Sequence, residues 1–244
     1  MKIRRLIRKA NVWVKNIYFG CRPHIFFGWL RPFMFLITNS LSLSKWMCRQ
    51  EKRTILNDFF QIKRNYSKRY RLYEYVIETA RLKNTPIHYL EFGVSAGNSI
   101  KWWAEKLTHP DNRFYGFDTF EGLPENWGTF RKGDMNSGIP QIDDERVIFI
   151  KGLFQETLPN FMKRHQAIQH RKVIHLDADL FSSTLYVLTS MAPILQAGDI
   201  LFFDEFNVPN HEFLAFKMFT ESYYITPKLI GAVNNYLQVA FVIQ

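Results

Sequence analysis

Cysteine is almost absent. The 244 residues hold two, Cys21 and Cys48, both within the first 50. That excludes a disulfide framework, a cysteine-ligated zinc site and, beyond residue 50, a cysteine nucleophile. Acid is missing altogether from residues 1–50, which carry Lys2, Lys9, Lys15, Lys45, Arg4, Arg5, Arg8, Arg22, Arg31 and Arg49. The formal net charge of +10 resides there, because the rest of the chain is balanced. Internal repeats and low-complexity tracts are also absent, which excludes solenoids and fibrous architectures. No long apolar run escapes interruption. The nearest, 25–43, is split by Arg31-Pro32, and a central arginine costs about 3 kcal/mol on insertion.

What the arm does contain is aromatic: Trp13, Tyr18, Phe19, Phe26, Phe27, Trp29, Phe33, Phe35 and Trp46. Cations interleaved with Trp and Phe suit anionic lipid headgroups, each cation contributing about 1 kcal/mol. Residues 1–50 are therefore expected to rest peripherally on an anionic membrane surface of a cytoplasmic protein. Insertion of 25–43, a transit peptide and nucleic-acid binding are weaker readings, and an oligomer interface stays open. The catalytic part is expected to fold when the chain begins at Glu51.

Beyond residue 85, short apolar runs alternate with helical patterns, which argues a mostly parallel sheet. Strands are expected at 87–92, 113–117, 146–151, 172–177 and 199–203, and two more near 224–229 and 237–243. Helices are expected at 99–106, 156–165, 183–195 and 211–222. The fold class is α/β: a Rossmann-like, doubly wound sheet of seven strands with an antiparallel C-terminal strand. A helical cap over 51–84 precedes the main domain at 85–244. The loop 124–141 is rich in Gly, Asn, Asp and Pro, as lids are.

Tyr89-Leu-Glu91-Phe-Gly93-Val-Ser-Ala-Gly97-Asn-Ser99 breaks a buried strand into a glycine turn and then a helix. Gly93 and Gly97 allow a sharp bend and close approach of a ligand. The following helix aims free N–H groups at the turn, which suits an anionic group. One strand later Phe114-Tyr-Gly-Phe-Asp118 ends in a carboxylate placed to grip ribose hydroxyls. A dinucleotide fingerprint wants glycine where Glu91 stands. The spacing E-x-G-x-x-x-G resembles motif I of class I S-adenosylmethionine-dependent methyltransferases, whose cationic cofactor favours a nearby acid.

Further on, Val173-Ile-His-Leu-Asp177-Ala-Asp179 and Ile200-Leu-Phe-Phe-Asp204-Glu205 are apolar strands ending in acids. Parallel strands bring such ends to one edge, where hard oxygen ligands suit Mg²⁺ or Ca²⁺. Together with Phe117-Asp118-Thr-Phe-Glu-Gly-Leu-Pro124, Lys151-Gly-Leu-Phe154-Gln-Glu-Thr-Leu-Pro159 and Leu176-Asp-Ala-Asp-Leu-Phe-Ser-Ser-Thr184, these stretches resemble the macrocin O-methyltransferase family. The resemblance covers roughly 51–244. It implies that Glu91, Gly93, Gly97, Ser99, Asp118 and Phe154 line the cofactor. It also implies that Asp177, Asp204 and Glu205 hold Mg²⁺, with Asp177 and Asp204 thereby catalytic.

Two departures concern the base. Catechol enzymes of the same fold place a lysine where Leu180 stands, and their third ligand is Asn or Asp rather than Glu205. His211, after Asn207-Val-Pro-Asn210, is the candidate base, with a plain helix-start role as the alternative. The expected function is Mg²⁺-assisted methyl transfer from S-adenosylmethionine to a hydroxyl of a sugar, glycan or natural product. The rivals are an NAD(P)-dependent oxidoreductase and a non-catalytic membrane- or nucleic-acid-binding module.

Overall fold

A computed structural model describes residues 2–165 and 170–244. The chain divides into two compact units, 1–42 and 43–244. The first holds helix α1 (Lys2–Gly20), a short helix α2 (His24–Phe27), a 3₁₀ turn Gly28–Leu30 and the start of α3 (Arg31–Cys48). Pro32 falls in the first turn of α3, where its missing N–H costs nothing, so the apolar run 25–43 is divided between elements. Among the described residues, no helix is long and apolar enough to cross a membrane.

The second unit is built on strands β1 (Leu56–Asn57), β2 (Ile87–Phe92), β3 (Arg113–Asp118), β4 (Val147–Lys151), β5 (Arg171–Leu176), β6 (Ile200–Phe203), β7 (Lys228–Val233) and β8 (Gln238–Val242). Its helices are α4 (Lys68–Thr79), α5 (Asn98–Lys106), α6 (Phe154–Arg164), α7 (Phe181–Met191) and α8 (Glu212–Tyr223). The sheet order is β1-β7-β8-β6-β5-β2-β3-β4. Neighbours are parallel except that β8 runs antiparallel to both β6 and β7.

Strand alternation feeds two cores. Leu90, Phe92, Ile174, Leu176, Leu201 and Phe203 face a layer with Leu158 and Phe161 of α6, Leu188 of α7 and Phe216 of α8. Ile87, Tyr89, Val173, Ile200 and Phe202 face Tyr73 and Val76 of α4 and Ile100 and Trp103 of α5. The sheet is thus wound on both faces, and strand order reverses between β2 and β5. Open α/β sheets place ligands in the crevice beyond such a reversal.

Three expectations need correction. The sheet has eight strands among the described residues, not seven, because the two-residue β1 adds to β7. Residues 51–67 are not helical. They are held irregularly by paired amides: Asn234 Nδ2 donates to the Asn65 carbonyl and its Oδ1 accepts the Asn65 N–H, and Asn235 does the same with Gln61. Such side-chain bonds offer the backbone an alternative to a helix. The strand expected near 224–229 starts at Lys228, since Tyr224 adopts φ 55° to close α8.

The end of α3 belongs to the second unit. Trp46 packs against Phe206 at 5.0 Å, Tyr236 at 5.8 Å and Phe241 at 5.9 Å between ring centroids, and Leu43 is buried in the same core. A chain beginning at Glu51 lacks both.

Candidate functional site

The C-terminal ends of β2, β3, β5 and β6 surround a pocket of about 560 Å³, within the range of small-molecule sites. Glu91, Gly93, Ser99, Asp118, Phe154, Asp177, Asp204 and Glu205 all line it. Gly97 and His211 do not.

The glycine turn is shaped by backbone contact. Gly93 has φ 93°, and a Cβ there would fall on the Asp177 carbonyl oxygen. The close approach ties the end of β2 to the end of β5, which Asp177 N–H reinforces by donating to the Phe92 carbonyl at 2.9 Å. Gly97 serves the turn from outside the pocket. It is the left-handed start of α5 at φ 77°, and a Cβ would meet the Pro140 ring at 2.9 Å. Asp118 braces the same turn: Oδ2 accepts the N–H groups of Val94 at 2.8 Å and Ser95 at 3.0 Å, while Oδ1 accepts that of Phe120 at 2.8 Å. Phe154 starts α6 and meets Phe92 edge-on at 5.4 Å.

Glu91 sits at the floor, fully buried, at the end of a hydrogen-bonded chain. Its carboxylate accepts from Tyr89 Oη at 2.9 Å. Tyr89 Oη is 2.7 Å from His175 Nδ1, and His175 Nε2 is 3.3 Å from Tyr73 Oη. When Glu91 is ionised it can only accept, so Tyr89 then gives it its proton and itself accepts from Nδ1–H. Burial pushes Glu91 up to about 8 and His175 down to about 3. His175, read as a packed strand residue, is thus a neutral relay beneath the pocket.

The opposite wall is acidic. Asp177 is held well above the usual carboxylate range by burial and by Asp204 beside it. Burial also raises Asp204 and Glu205, opposed by Arg69 at the first and by a Tyr66 hydrogen bond at the second. Arg69 Nη1 lies 3.6 Å from Asp204 Oδ2, and Tyr66 Oη donates to Glu205 Oε1 at 3.2 Å. Asp179 also lines the pocket, and burial with Glu205 and Asp204 nearby pushes it up to about 7.

Among the described residues, no group of three or more His, Cys, Asp or Glu side chains is arranged to hold a metal ion. The donor chemistry nevertheless suits a hard divalent cation. Asp204 Oδ1 is buried without a hydrogen-bond partner, as is Oε1 of the neighbouring Glu212, and such orphans are costly.

His211 does not reach the pocket. Its ring lies 6.4 Å from Trp127, and burial lowers its pKa. The next residue matters more: Glu212 is fully buried and accepts the Glu205 N–H at 3.0 Å, fixing the turn after β6. Arg64, Tyr66 and Arg69 were not legible as site residues, because they enter from an irregular segment and the first turns of α4. Trp127 and Phe130, stacked at 5.5 Å, roof the pocket with Met135. The chain's single Tyr-x-x-x-Lys spacing, Tyr224 to Lys228, lies outside the pocket with Tyr224 exposed to solvent. It supplies no reductase-type proton donor there.

Comparison with known proteins agrees with this geometry. Residues 139–236 match the family model of macrocin-O-methyltransferase (TylF). A curated relative from Streptomyces olivaceus, 8-demethyl-8-(2,3-dimethoxy-alpha-L-rhamnosyl)-tetracenomycin-C 4'-O-methyltransferase, is 28% identical over 158 residues, covering 55% of this chain and 59% of the relative. The chain therefore spans less than two thirds of that relative's length. Among solved structures, the calicheamicin methyltransferase CalS11 superposes with TM-score 0.58 at 18% identity, covering 84% of this chain and 91% of that one. The O-methyltransferase NovP does so with TM-score 0.56 at 20% identity, covering 72% and 79%. Residues 139–236 thus resemble the macrocin-O-methyltransferase (TylF) family, within a Rossmann-like α/β fold that the chain shares with these solved structures.

Proposed function

We propose that the protein transfers a methyl group from S-adenosylmethionine to a hydroxyl of a sugar-bearing small molecule. The observation that supports this most directly is one pocket at the strand-order reversal, with a braced glycine turn and buried Glu91 on one side and acids with Arg69 on the other. The donor supplies an electrophilic methyl on a sulfonium. Glu91 offers negative charge to a cationic ligand. The first turn of α5, with Asn98 and Ser99 in the lining, offers N–H groups to a carboxylate. Asp118, in the lining at the end of β3, receives ribose hydroxyls, and Phe154 packs against the base. The name of the Streptomyces relative points to a sugar hydroxyl as the acceptor class.

Asp177, Asp204 and Glu205 would hold a divalent cation, Mg²⁺ by the chemistry of the donors. When bound, it supplies Lewis-acid polarisation of the acceptor hydroxyl. Asp179, in the same pocket lining, takes the hydroxyl proton as general base. Trp127 and Phe130 close over the acceptor and exclude water. Most of the acceleration then comes from positioning and preorganised charge. Residues 1–50 hold the enzyme peripherally on an anionic membrane surface.

The test is transfer of radiolabel from S-adenosylmethionine into sugar-bearing acceptors, with and without chelator. Labelled product that disappears in chelator, returns with Mg²⁺ and is lost in Asp179→Asn is the expected result. Full transfer in chelator removes the metal from the reading. Absence of cofactor binding by calorimetry removes the function.

A further inference from the structure

We infer that α1 is the membrane-docking element and that it lies in the plane of the lipid interface with one defined face inserted. The inference rests on the peripheral attachment proposed above and assigns it to a helix, a face and an orientation. Ile3, Leu6, Ile7, Trp13, Val14 and Ile17 recur at helical spacing along α1, with Ala10 between them. At 100° per residue they occupy one continuous stripe. All six are exposed, between 47% and 75%, although such a stripe ordinarily faces a core. Arg4, Arg5, Arg8 and Lys15 project from the opposite side, and Lys9 from one flank.

Charge decides the occupant. The first 50 residues contain no acid, so the same segment of a second copy would offer these cations no counter-charge. A nucleic acid would use the cations and leave the apolar stripe in water. An anionic bilayer satisfies both faces, with apolar side chains in the acyl boundary and guanidinium and ammonium groups among the phosphates. The exposed aromatics Phe26, Phe27 and Trp29 follow the turn after α1, and Trp29, an apolar ring with one N–H, has the amphipathic character of an interfacial anchor.

The experiment is cosedimentation of the full chain with vesicles of phosphatidylcholine, alone or with 30% phosphatidylglycerol in the mixture (about a third, as an anionic probe). The variants are Leu6→Ser/Val14→Ser on the stripe and Phe19→Ser as a control. Phe19 is also exposed but lies off the stripe. The expected result is binding to anionic vesicles only, weakened at least about tenfold in the stripe variant and less than twofold in the control. Unchanged S-adenosylmethionine binding in the stripe variant shows that the second unit is folded, and unchanged helical circular dichroism shows that α1 is. If wild type binds and both variants bind equally, the assignment to α1 is overturned while peripheral attachment stands. If wild type binds neither vesicle, both are overturned. A wild-type oligomer in vesicle-free sedimentation that the stripe variant dissolves makes the face a contact between copies and also overturns the inference.

Discussion

Replacing Gly93 by alanine should disable the cofactor turn, and the structure separates two contributions to the loss. The first is conformational. At φ 93° a residue with a Cβ is strained by about 1–3 kcal/mol. The second is steric: the new methyl would fall on the Asp177 carbonyl oxygen, which is backbone and cannot rotate away. Overpacking of this kind costs about 1–3 kcal/mol. The two together come to about 4 kcal/mol, or roughly 8–16 °C in Tm for a unit of this size. Gly133 is a matched control, because its φ of 88° is similar but its Cβ would meet nothing within 4 Å. Gly133→Ala should show the strain alone, about 1–3 kcal/mol. Thermal unfolding reads the stability, and calorimetric titration with S-adenosylmethionine reads the site. Gly93→Ala should bind at least about tenfold more weakly, because relief of the clash parts the ends of β2 and β5. If Gly93→Ala and Gly133→Ala lose the same stability and both bind normally, the reasoning about the β2–β5 contact is refuted.

Asp118→Ala should weaken S-adenosylmethionine by about 1.5–3 kcal/mol, since charge-assisted bonds to both ligand and turn are lost; calorimetry with an unchanged Kd would count against it. Glu91 predicts a pH dependence. Its folded pKa of about 8 stands above the ordinary 4.5, so the unliganded fold binds more protons than the unfolded chain between those values and loses stability as pH rises through that window. A cationic ligand prefers the ionised form, so affinity should climb between pH 6 and 8, by at most tenfold per unit. Glu91→Gln should flatten that slope, and a wild-type slope of zero would remove the role. Trp46→Ala should cost about 3 kcal/mol, the low end for a large core side chain that is only partly buried. By the same packing, a chain starting at Leu43 should melt above one starting at Glu51. Equal melting points would show the α3 end to be dispensable.

The sequence alone carried the architecture from residue 85 onward, because parallel strands buried on both faces must be short continuous apolar runs. Ile200–Phe203 reads that way, and Ile87–Phe92 and Arg171–Leu176 do so apart from His88, Glu91, Arg171, Lys172 and His175; all three occupy the sheet centre. The acids and glycines that end those strands were legible for the same reason: a polar residue abruptly closing a buried run has few structural uses. Residues 51–67 were not legible, since their conformation depends on amide pairing with Asn234 and Asn235, distant in sequence. Nor was the membership of the pocket. Arg69 and Tyr66 belong to it only because the chain folds back over the strand ends, whereas His211 stays beside the Trp127 ring and outside the lining. Glu91's ionisation was likewise beyond local reading, as burial raises its pKa while the Tyr89 hydrogen bond and the Arg69 charge oppose the rise. Local pattern therefore determined which elements form and where their polar ends lie. Only tertiary packing decided which side chains share a low-dielectric pocket, because desolvation and charge coupling act through space rather than along the chain.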